Sequence, residues 1–371
     1  MEFNRPIWVE VDAAKLRNNL NHVKKIVGNK KIIGVVKADA YGHGAKEVAK
    51  ILEQEGIYAV AVASLEEALN LRESKIKIPV LTLGYIYPKT LDIAAKNNIS
   101  VTMFDKNFIK RLKEYKEKEI LNIHINVDTG MGRLGLFPSE VGKSVEEIKK
   151  LKNINIEGIY THFATADSDL TYAKEQLNLF KNVLDSLKKE RLLPRLIHAA
   201  NSAGILNMKE AFFNAVRPGI LLYGLSPFND REIEFEPVMS FKARIIFSRN
   251  VPKGKGISYG KIFITKKESL LATIPVGYAD GLSKNLSNKG EVLVKGKRAK
   301  IVGNITMDLT VIDVTDFPYI HPGNEVVIIG KQGEEEITAS EIAKKADTIN
   351  YEIVTRIGKR VKRMYKNWNF W

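Results

Sequence analysis

The chain has 371 residues, no cysteine and a formal net charge of +15, with 58 Lys and Arg against 43 Asp and Glu. This length predicts two domains with a core large enough to need no covalent staple, and the lack of cysteine excludes disulfides and thiolate chemistry. We expect no metal site. The amino terminus MEFNRPIWVE has no apolar signal region, and no apolar run approaches the roughly 18 residues of a membrane span. We therefore expect a cytoplasmic protein without a membrane partner.

The positive charge is spread along the chain. Lysines alternate with glutamates in segments such as KEYKEKE at 113–119, a pattern typical of a solvated helix face. Two basic clusters, Lys295 to Arg298 and Lys359 to Lys366, depart from it. Two short clusters in a mixed-charge surface make a nucleic-acid partner unlikely in our interpretation.

The first two thirds of the chain alternate strand and helix signals. Arg5 to Val11 reads as a strand, and Asp12 can cap the helix that follows. Eight further strands are predicted: Lys31–Val36, Tyr58–Ala63, Pro79–Gly84, Ser100–Phe104, Leu121–Asp128, Ile156–His162, Leu196–Ala200 and Phe213–Arg217. Helical patterns separate most of them: Ala45–Glu55, Ser64–Glu73, Pro88–Asn97, Lys106–Lys118, Ser139–Leu151, Tyr172–Glu190 and a short one from Ser202. Repeated βα units predict an α/β protein with a TIM-like (β/α)8 barrel over 12–228.

The pattern changes after about Pro227. Short apolar runs separated by Gly, Pro and Asn predict strands at Met239–Phe247, Leu270–Val276, Glu291–Val294, Ala299–Val302, Leu309–Val314 and Glu325–Gly330. A helix over Ala339–Ala346 and a last segment over Asn350–Arg363 complete the pattern. We predict a mainly β C-terminal domain over 229–371.

Lys37 stands at the carboxyl end of a predicted strand, in IIGVVKADAYGHG at 32–44. An ammonium beside residues that want burial resists desolvation unless its pKa falls, which suggests a working amine. A solvated lysine that ends a strand is the plainer alternative, and the local pattern alone favours it. Barrel sites lie at the carboxyl ends of strands. Several polar or glycine residues share that position, which indicates one site: Lys37, Arg133, His162, Ser202, Arg217 and Gly219.

The segment VVKADAYGHG resembles the cofactor-lysine segment of the alanine racemase family. Further motifs follow in the family's order: NVDTGMGRLG at 126–135, THFATAD at 161–167, NSAG at 201–204, RPGILLYG at 217–224, GISYG at 256–260, GYADG at 277–281, ITMD at 305–308 and NYE at 350–352. The resemblance implies a pyridoxal 5'-phosphate enzyme with a TIM-like barrel. It also implies that the first strand, in 1–11, joins the C-terminal domain.

The resemblance assigns roles around the cofactor. Lys37 would hold it as an imine, and Arg217 would face the pyridine nitrogen, donating a hydrogen bond without protonating it. A neutral ring is a poorer electron sink, which would suppress transamination. The phosphate would lie in the loops after barrel strands 7 and 8, a recurring position in such barrels. The residues expected to hold it are Ser202, Gly219, Ile220, Tyr41 and Tyr351.

Racemisation removes a proton from one face of the α-carbon and returns one to the other, so two bases are expected. By resemblance these are Lys37 and Tyr259. A phenol is a poor base at neutral pH, so His162 and Arg217 would supply positive surroundings. Arg133 matches an arginine that contacts the cofactor's phenolic oxygen and the substrate. The segment that would meet the substrate carboxylate is Met307 and Asp308.

Some positions depart from the family. Asn126 stands where a carbamylated lysine is common, so the negative partner expected beside Arg133 is missing, and a small anion such as chloride could replace it. Asn304 and Lys284 stand where arginines are frequent near the substrate entrance. The basic aromatic tail from Lys359, which includes Trp368, Phe370 and Trp371, has no assigned role.

The leading hypothesis is a racemase that supplies D-alanine for peptidoglycan, acting on a small amino acid as a head-to-tail homodimer with shared active sites. A racemase of broader range, or one for serine, is the second. The barrel-containing decarboxylases of basic amino acids are disfavoured because they use a cysteine and a glycine-triplet loop. A non-catalytic pyridoxal phosphate carrier would lack Tyr259 and the second domain.

Overall fold

The computed structural model describes residues 5–228 and 231–368. After strand β1 (Ile7–Asp12), eight parallel strands pair in chain order and close into a barrel because the first of them also pairs with the last. This confirms the predicted barrel. Its strands are β2 (Lys31–Val35), β3 (Ala59–Val62), β4 (Val80–Thr82), β5 (Ile99–Met103), β6 (Leu121–Asn126), β7 (Ile154–Tyr160), β8 (Leu196–His198) and β9 (Ala215–Val216).

Helices surround the barrel and bury their apolar stripes against it. Asp12 accepts hydrogen bonds from the backbone N–H groups of Ala14 and Lys15, as a helix cap does. Ser64, Asp105 and Asp169 cap later helices in the same way. The helices are α1 (Ala13–Val27), α2 (Lys37–Tyr41), α3 (Ala45–Gln54), α4 (Leu65–Glu73), α5 (Leu91–Lys96), α6 (Lys106–Glu114), α7 (Pro138–Lys149), α8 (Leu170–Lys189) and α9 (Ser202–Asn207).

The element α2 is a single left-handed turn directly after the barrel strand that leads to Lys37. Its residues 38 to 41, none of them glycine, have φ values between 52° and 54°. Left-handed backbone costs roughly 1–2 kcal/mol for each L-residue, so surrounding contacts must hold the turn. The Ala38 N–H donates to Glu67 Oε1 at 2.7 Å, and the Ala45 N–H donates to Asp39 Oδ1 at 2.8 Å.

The rest of the chain is mainly β, as predicted. A ten-stranded sheet has the order β11-β14-β17-β16-β15-β18-β10-β1-β20, with β19 paired to β18, and β12 and β13 form a separate pair. Its strands and those of the pair are β10 (Met239–Arg244), β11 (Phe247–Val251), β12 (Gly256–Ile257), β13 (Phe263–Ile264), β14 (Ser269–Ile274), β15 (Glu291–Val294), β16 (Lys297–Ile301), β17 (Thr310–Asp313), β18 (Glu325–Gln332), β19 (Glu335–Ile337) and β20 (Lys362–Lys366). Helices α10 (Ala339–Ala346) and α11 (Asn350–Thr355) precede the last strand.

Strand β1 lies inside this sheet, antiparallel to β10 and parallel to β20. The amino-terminal strand is thus hydrogen-bonded to strands that come more than two hundred residues later. In the described part of the chain, no helix is long and apolar enough to cross a membrane.

The structure differs from the sequence-based elements at several places, and it adds the short strands β12, β13 and β19, which were not predicted. The predicted strand Met239–Phe247 is interrupted after Arg244, and β11 begins at Phe247. The tail without an assigned role contains β20, which hydrogen-bonds with β1. The ring of Trp368 lies against Tyr365, with centroids 5.2 Å apart, whereas Phe370 and Trp371 lie outside the described residues.

Candidate active site

A cavity of about 1050 Å³ opens at the carboxyl ends of the barrel strands. Most of the predicted site residues line it: Lys37, Tyr41, His162, Ser202, Arg217, Gly219, Ile220 and Tyr351. A smaller cavity of about 170 Å³ adjoins it, shares Lys37, His162 and Arg217, and is also lined by Arg133 and Asn126. The structure therefore gathers these side chains at one mouth of the barrel.

Lys37 follows strand β2 and lines both cavities. Burial lowers the pKa of its amine, and the positive charge of Arg133 lowers it further, while Glu67 opposes the shift. A lowered pKa raises the fraction of neutral amine, the form that attacks a carbonyl carbon. The fold therefore places the Lys37 amine beside a buried strand, as the sequence indicated.

The loops after β8 and β9 form a cradle of hydrogen-bond donors. Ser202 opens α9, and its Oγ accepts hydrogen bonds from the N–H groups of Gly219 at 2.9 Å and Leu221 at 3.4 Å. Its own hydroxyl proton is therefore directed elsewhere. A short 3-10 helix begins at Ile220, and the first N–H groups of a helix have no partners within it, which favours an anion there.

Gly219 and two tyrosines complete this cradle. A Cβ at residue 219 would lie 2.6 Å from the Tyr41 hydroxyl oxygen, so the close approach requires glycine. The Tyr41 and Tyr351 rings lie 6.0 Å apart between centroids. Burial raises the pKa of both phenols, and so both are protonated donors at neutral pH. Hydroxyl and N–H donors around one point, with a lysine amine in the same cavity, fit a phosphorylated aldehyde such as pyridoxal phosphate.

Arg217 is 2% exposed and is fixed by backbone carbonyls. Its guanidinium donates to the carbonyls of Thr161 at 2.8 Å, Ala199 at 3.0 Å and His198 at 3.0 Å. Burial lowers the pKa of Arg217 to about 10, which leaves it a cation at neutral pH. It is therefore a fixed donor at the cavity wall rather than the surface arginine that its local sequence suggests.

His162 is neutral in this environment. Burial lowers its pKa to about 3, and the charges of Arg217, Arg133 and Lys37 act in the same direction. Its Nδ1 lies 3.3 Å from Arg217 Nη2. Arginine can only donate, so Nδ1 is the acceptor and the ring proton lies on Nε2. His162 can therefore donate one hydrogen bond from Nε2.

Asn126 and Arg133 line the smaller cavity together. The Asn126 amide donates from Nδ2 to the Leu134 carbonyl at 3.0 Å. Arg133 is exposed, and within residues 5–228 and 231–368 no carboxylate forms an ion pair with it. No described side chain therefore supplies the negative partner that the family resemblance implies beside Arg133.

Three predicted site residues lie elsewhere in the same chain. Tyr259 is 77% exposed and Met307 is 52% exposed. The Asp308 carboxylate accepts a hydrogen bond from Arg360 Nη2 at 2.8 Å. Over the described ranges these three residues line neither cavity. One chain alone does not bring them to Lys37.

Sequence reasoning missed the buried groups behind the cavity. His198 accepts from Arg217 through Nδ1 at 2.5 Å, and His124 and Glu157 continue the contact into the barrel. Glu67, which holds the turn after Lys37, was also missed. The available signal was a charged or imidazole side chain within a barrel strand, as at His124 in LNIHIN and Glu157 in INIEGIY, and a satisfied core histidine gives the same pattern.

Comparison with known proteins agrees with this geometry. The family model of the alanine racemase N-terminal domain matches residues 11–227, and that of the C-terminal domain matches residues 238–365. The chain belongs to the alanine racemase family. It is therefore an enzyme of the amino-acid racemase class, in a family that depends on pyridoxal phosphate.

Individual alanine racemases resemble the chain over nearly its whole length. The alanine racemase of Halothermothrix orenii is 47% identical, covering 98% of this chain and 97% of that protein. The crystal structure of alanine racemase from Bacillus anthracis with bound L-Ala-P has a TM-score of 0.93 and 40% identity, covering 98% of this chain and 96% of that one. Alanine racemase from Clostridium difficile 630 has a TM-score of 0.92 and 38% identity, covering 99% and 98%.

Proposed function

We propose that this protein interconverts L-alanine and D-alanine with pyridoxal 5'-phosphate as cofactor. The observation that carries the proposal is the convergence of Lys37, Arg217 and the cradle around Ser202 and Gly219 on one cavity. When bound, the cofactor supplies a carbonyl for the amine and a conjugated ring that makes the α-proton of an amino acid removable. The side chains of the protein hold the cofactor and move the proton.

In this proposal the cradle fixes the cofactor through its phosphate. Ser202, Tyr41 and Tyr351 donate from their hydroxyls, and the N–H of Ile220, at the start of the 3-10 helix, adds a backbone donor. Arg217 donates to the ring nitrogen. Because a guanidinium keeps its own proton at working pH, the ring nitrogen stays unprotonated.

Lys37 and Tyr259 exchange the α-proton on opposite faces. Lys37 takes or returns a proton at Nζ, and its lowered pKa favours the neutral amine that accepts it. Tyr259 does so at its phenolic oxygen. His162 stabilises the phenolate by donating from Nε2, since its Nδ1 faces Arg217.

Tyr259 reaches a cavity only across a subunit interface, in a homodimer with shared sites. The support is its exposure together with that of nearby apolar side chains, a combination that marks an interaction surface. The exposed large hydrophobic side chains near Tyr259 include Ile262, Ile264, Tyr278, Met307 and Leu309. In the dimer, region 229–371 of one chain covers the barrel mouth, in 12–228, of the other. Met307 and Asp308 then meet the substrate carboxylate.

The surroundings of the active site favour a small substrate. Tyr351 lines the cavity wall and is packed against Tyr41, and by analogy with the family it would lie beside the methyl group of alanine. A racemase that also accepts serine is the second candidate, because a hydroxymethyl group is only slightly larger. A product D-alanine would serve peptidoglycan synthesis, and we place the reaction in the cytoplasm.

The test uses purified protein reconstituted with pyridoxal phosphate. We expect a visible absorption band, loss of that band on borohydride treatment, and attachment of the cofactor to the peptide that contains Lys37. Incubation with L-alanine and, separately, L-serine, followed by chiral chromatography, then measures the substrate range. Protein that stays colourless would overturn the proposal, and faster turnover of serine would favour the second candidate.

A further inference from the structure

A column of polar side chains runs through the barrel behind Arg217. Barrels of this kind are normally filled by branched apolar side chains. Here His124 is 2% exposed and His198 is fully buried, and the Glu157 side chain is 22% exposed at the far end. Buried polar groups destabilise a fold unless they are hydrogen-bonded. This column therefore requires a structural or functional reason.

The hydrogen bonds of the column have only one possible direction. Arg217 Nη1 lies 2.5 Å from His198 Nδ1, and because arginine only donates, the His198 proton lies on Nε2. That proton is directed at His124 Nδ1, 2.9 Å away. His124 must therefore carry its own proton on Nε2, which lies 3.1 Å from Glu157 Oε2. The Glu157 carboxylate accepts a hydrogen bond, so Arg217 at one end and Glu157 at the other require the same proton positions on the two imidazoles.

The charges agree with that arrangement. Burial, helped by Arg217, lowers the pKa of His198 well below the ordinary value, so His198 is neutral. Burial acts to raise the pKa of Glu157, but the hydrogen bonds from His124 and Ser100 outweigh it, so the net shift is downward. The column thus joins a cation at the cavity to a carboxylate near the opposite end of the barrel through two imidazoles.

The backbone makes room for this column. A Cβ at residue 158 would lie 2.6 Å from His124 Nδ1, so glycine at 158 lets the imidazole occupy the barrel interior. The Tyr160 ring stacks on His198, with centroids 4.8 Å apart and planes at 11°. The Arg217 guanidinium lies 5.0 Å from the centroid of the same ring. Neighbouring residues on one strand therefore fix both the imidazoles and the arginine.

We propose that Glu157 and His124 are positioning residues that act through His198 to hold the Arg217 guanidinium in its place at the cofactor ring. The part that concerns the cofactor rests on the proposed function. Without the Glu157 acceptor, nothing holds the His124 proton on Nε2, and a His124 that carries its proton on Nδ1 presents an N–H to the Nε2–H of His198. His198 would then move from its contact with Arg217 Nη1, and the guanidinium would lose one of the acceptors that hold it.

The first test reads the imidazoles directly, without any enzymatic activity. Nitrogen NMR of the solid apoprotein labelled at histidine resolves the six histidines, and single substitutions assign them. We expect His124 and His198 to carry their protons on Nε2 at pH 7. Glu157→Leu should move the His124 proton from Nε2 towards Nδ1 and shift the His198 Nδ1 resonance as its contact with Arg217 weakens, whereas Glu157→Gln, which keeps an acceptor oxygen, should preserve both signals. Unchanged His124 and His198 signals in Glu157→Leu would overturn the proposal.

The second test follows the reaction of the holoenzyme. Glu157→Leu and Gly158→Ala should each lower kcat for racemisation by roughly tenfold, the effect of about 1.4 kcal/mol on the barrier, with little change in KM. Thr82→Val is the matched control, because Thr82 is fully buried in the same barrel but outside the column. Gly158→Ala retains every polar group, so its kcat tests the proposal even if Glu157→Leu does not fold.

The two tests separate this proposal from the proposed function. Wild-type kcat in variants whose His124 tautomer and His198 resonance have changed would show that the column does not act on the reaction. Protein that racemises no amino acid, yet has the expected tautomers, would overturn the proposed function and leave the column's hydrogen-bond direction established.

Discussion

Arg363 donates a hydrogen bond of 3.0 Å from Nε to the backbone carbonyl of Gly42, at the end of the left-handed turn that follows Lys37. Its other nitrogens donate to the carbonyls of Gly358 and Val361 at 2.6 Å and of Ile357 at 2.7 Å. One side chain of the last strand therefore links the carboxyl-terminal segment to the backbone that follows Lys37.

Replacing Arg363 should weaken both the fold and cofactor binding. In Arg363→Leu, several carbonyls lose a charged donor, and we expect the free energy of unfolding to fall by about 2–4 kcal/mol. Pyridoxal phosphate should bind more weakly because the turn after Lys37 loses its support. Urea denaturation and titration of the visible absorption measure the two effects. The control is Arg356→Leu, whose exposed ion pair with Glu352 should contribute little; equal losses in both variants would contradict the prediction.

Asp280 should make the stability of the protein sensitive to acid. This fully buried carboxylate accepts hydrogen bonds from Arg5 at 2.5 and 2.8 Å, from Arg360 at 2.7 Å and from the Gly277 N–H at 2.9 Å. Burial acts to raise its pKa, but these donors outweigh burial and lower it. The folded state then holds the proton less tightly than the unfolded chain does, so this stabilisation is complete above the unfolded pKa of about 4 and is lost as pH falls further.

The corresponding variant is Asp280→Asn, which leaves two arginines without their carboxylate. We expect a loss of about 3–5 kcal/mol at pH 7, measured by urea denaturation at a fixed protein concentration, and a smaller difference from wild type below pH 4. Asp316→Asn removes an exposed ion pair with Lys267 and should change stability little at either pH. A difference for Asp280→Asn that is independent of pH would show that the carboxylate charge is not the cause.

Asn126 should leave activity dependent on a small anion. An asparagine cannot form a carbamate, and no carboxylate of the described ranges pairs with Arg133. We expect racemase activity assayed in gluconate to rise when chloride is added. Asn126→Lys with bicarbonate should remove that dependence, whereas Asn126→Gln, which has no amine to react, should not. Activity that is the same in all anions would contradict the prediction.

Tyr259 should complement a lysine variant across the subunit interface. Lys37→Ala and Tyr259→Ala chains should each be nearly inactive, because every site of either homodimer lacks one base. In a mixed dimer, the intact Lys37 of one chain meets the intact Tyr259 of the other. Random reassociation gives about half mixed dimers with one complete site each, so an equal mixture should recover roughly a quarter of wild-type activity.

The control for this experiment is to show that mixed dimers are present. Differential tagging confirms that mixed dimers have formed. If mixed dimers are present and activity does not return, both bases act within one chain, and the shared-site model is wrong.

The long elements of the fold were predictable from the sequence, and the short charged ones were not. The barrel strands are short apolar runs, whereas the helices between them repeat apolar residues every three or four positions. These two hydrophobic patterns distinguish the strands from the helices. Strand β20 has the sequence KRMYK, which has no apolar period and resembles a solvated tail. Its pairing with Trp8 to Asp12 depends on contacts across most of the chain, which local patterns do not contain.

The candidate site divides in the same way. Lys37, Ser202 and Arg217 follow strands, so barrel topology alone brings them to one mouth. His124 and Glu157 lie within parallel barrel strands, where the alternation of apolar and polar residues does not tell which side chains point inward. The register also shifts between Ile123 and His124. The contact between His124 and Glu157 therefore needed the three-dimensional structure.

The place of β1 between β10 and β20 sets an order in time for the maturation of the enzyme. Residues 7–12 leave the ribosome early, but their neighbours at 239–244 and 362–366 are translated much later. Until then both edges of β1 are open to pairing with other chains. The backbone after Lys37 likewise receives Arg363 and Tyr365 only once β20 has emerged. A nascent chain stalled before residue 362 therefore has its barrel strands complete but lacks this support for the backbone after Lys37.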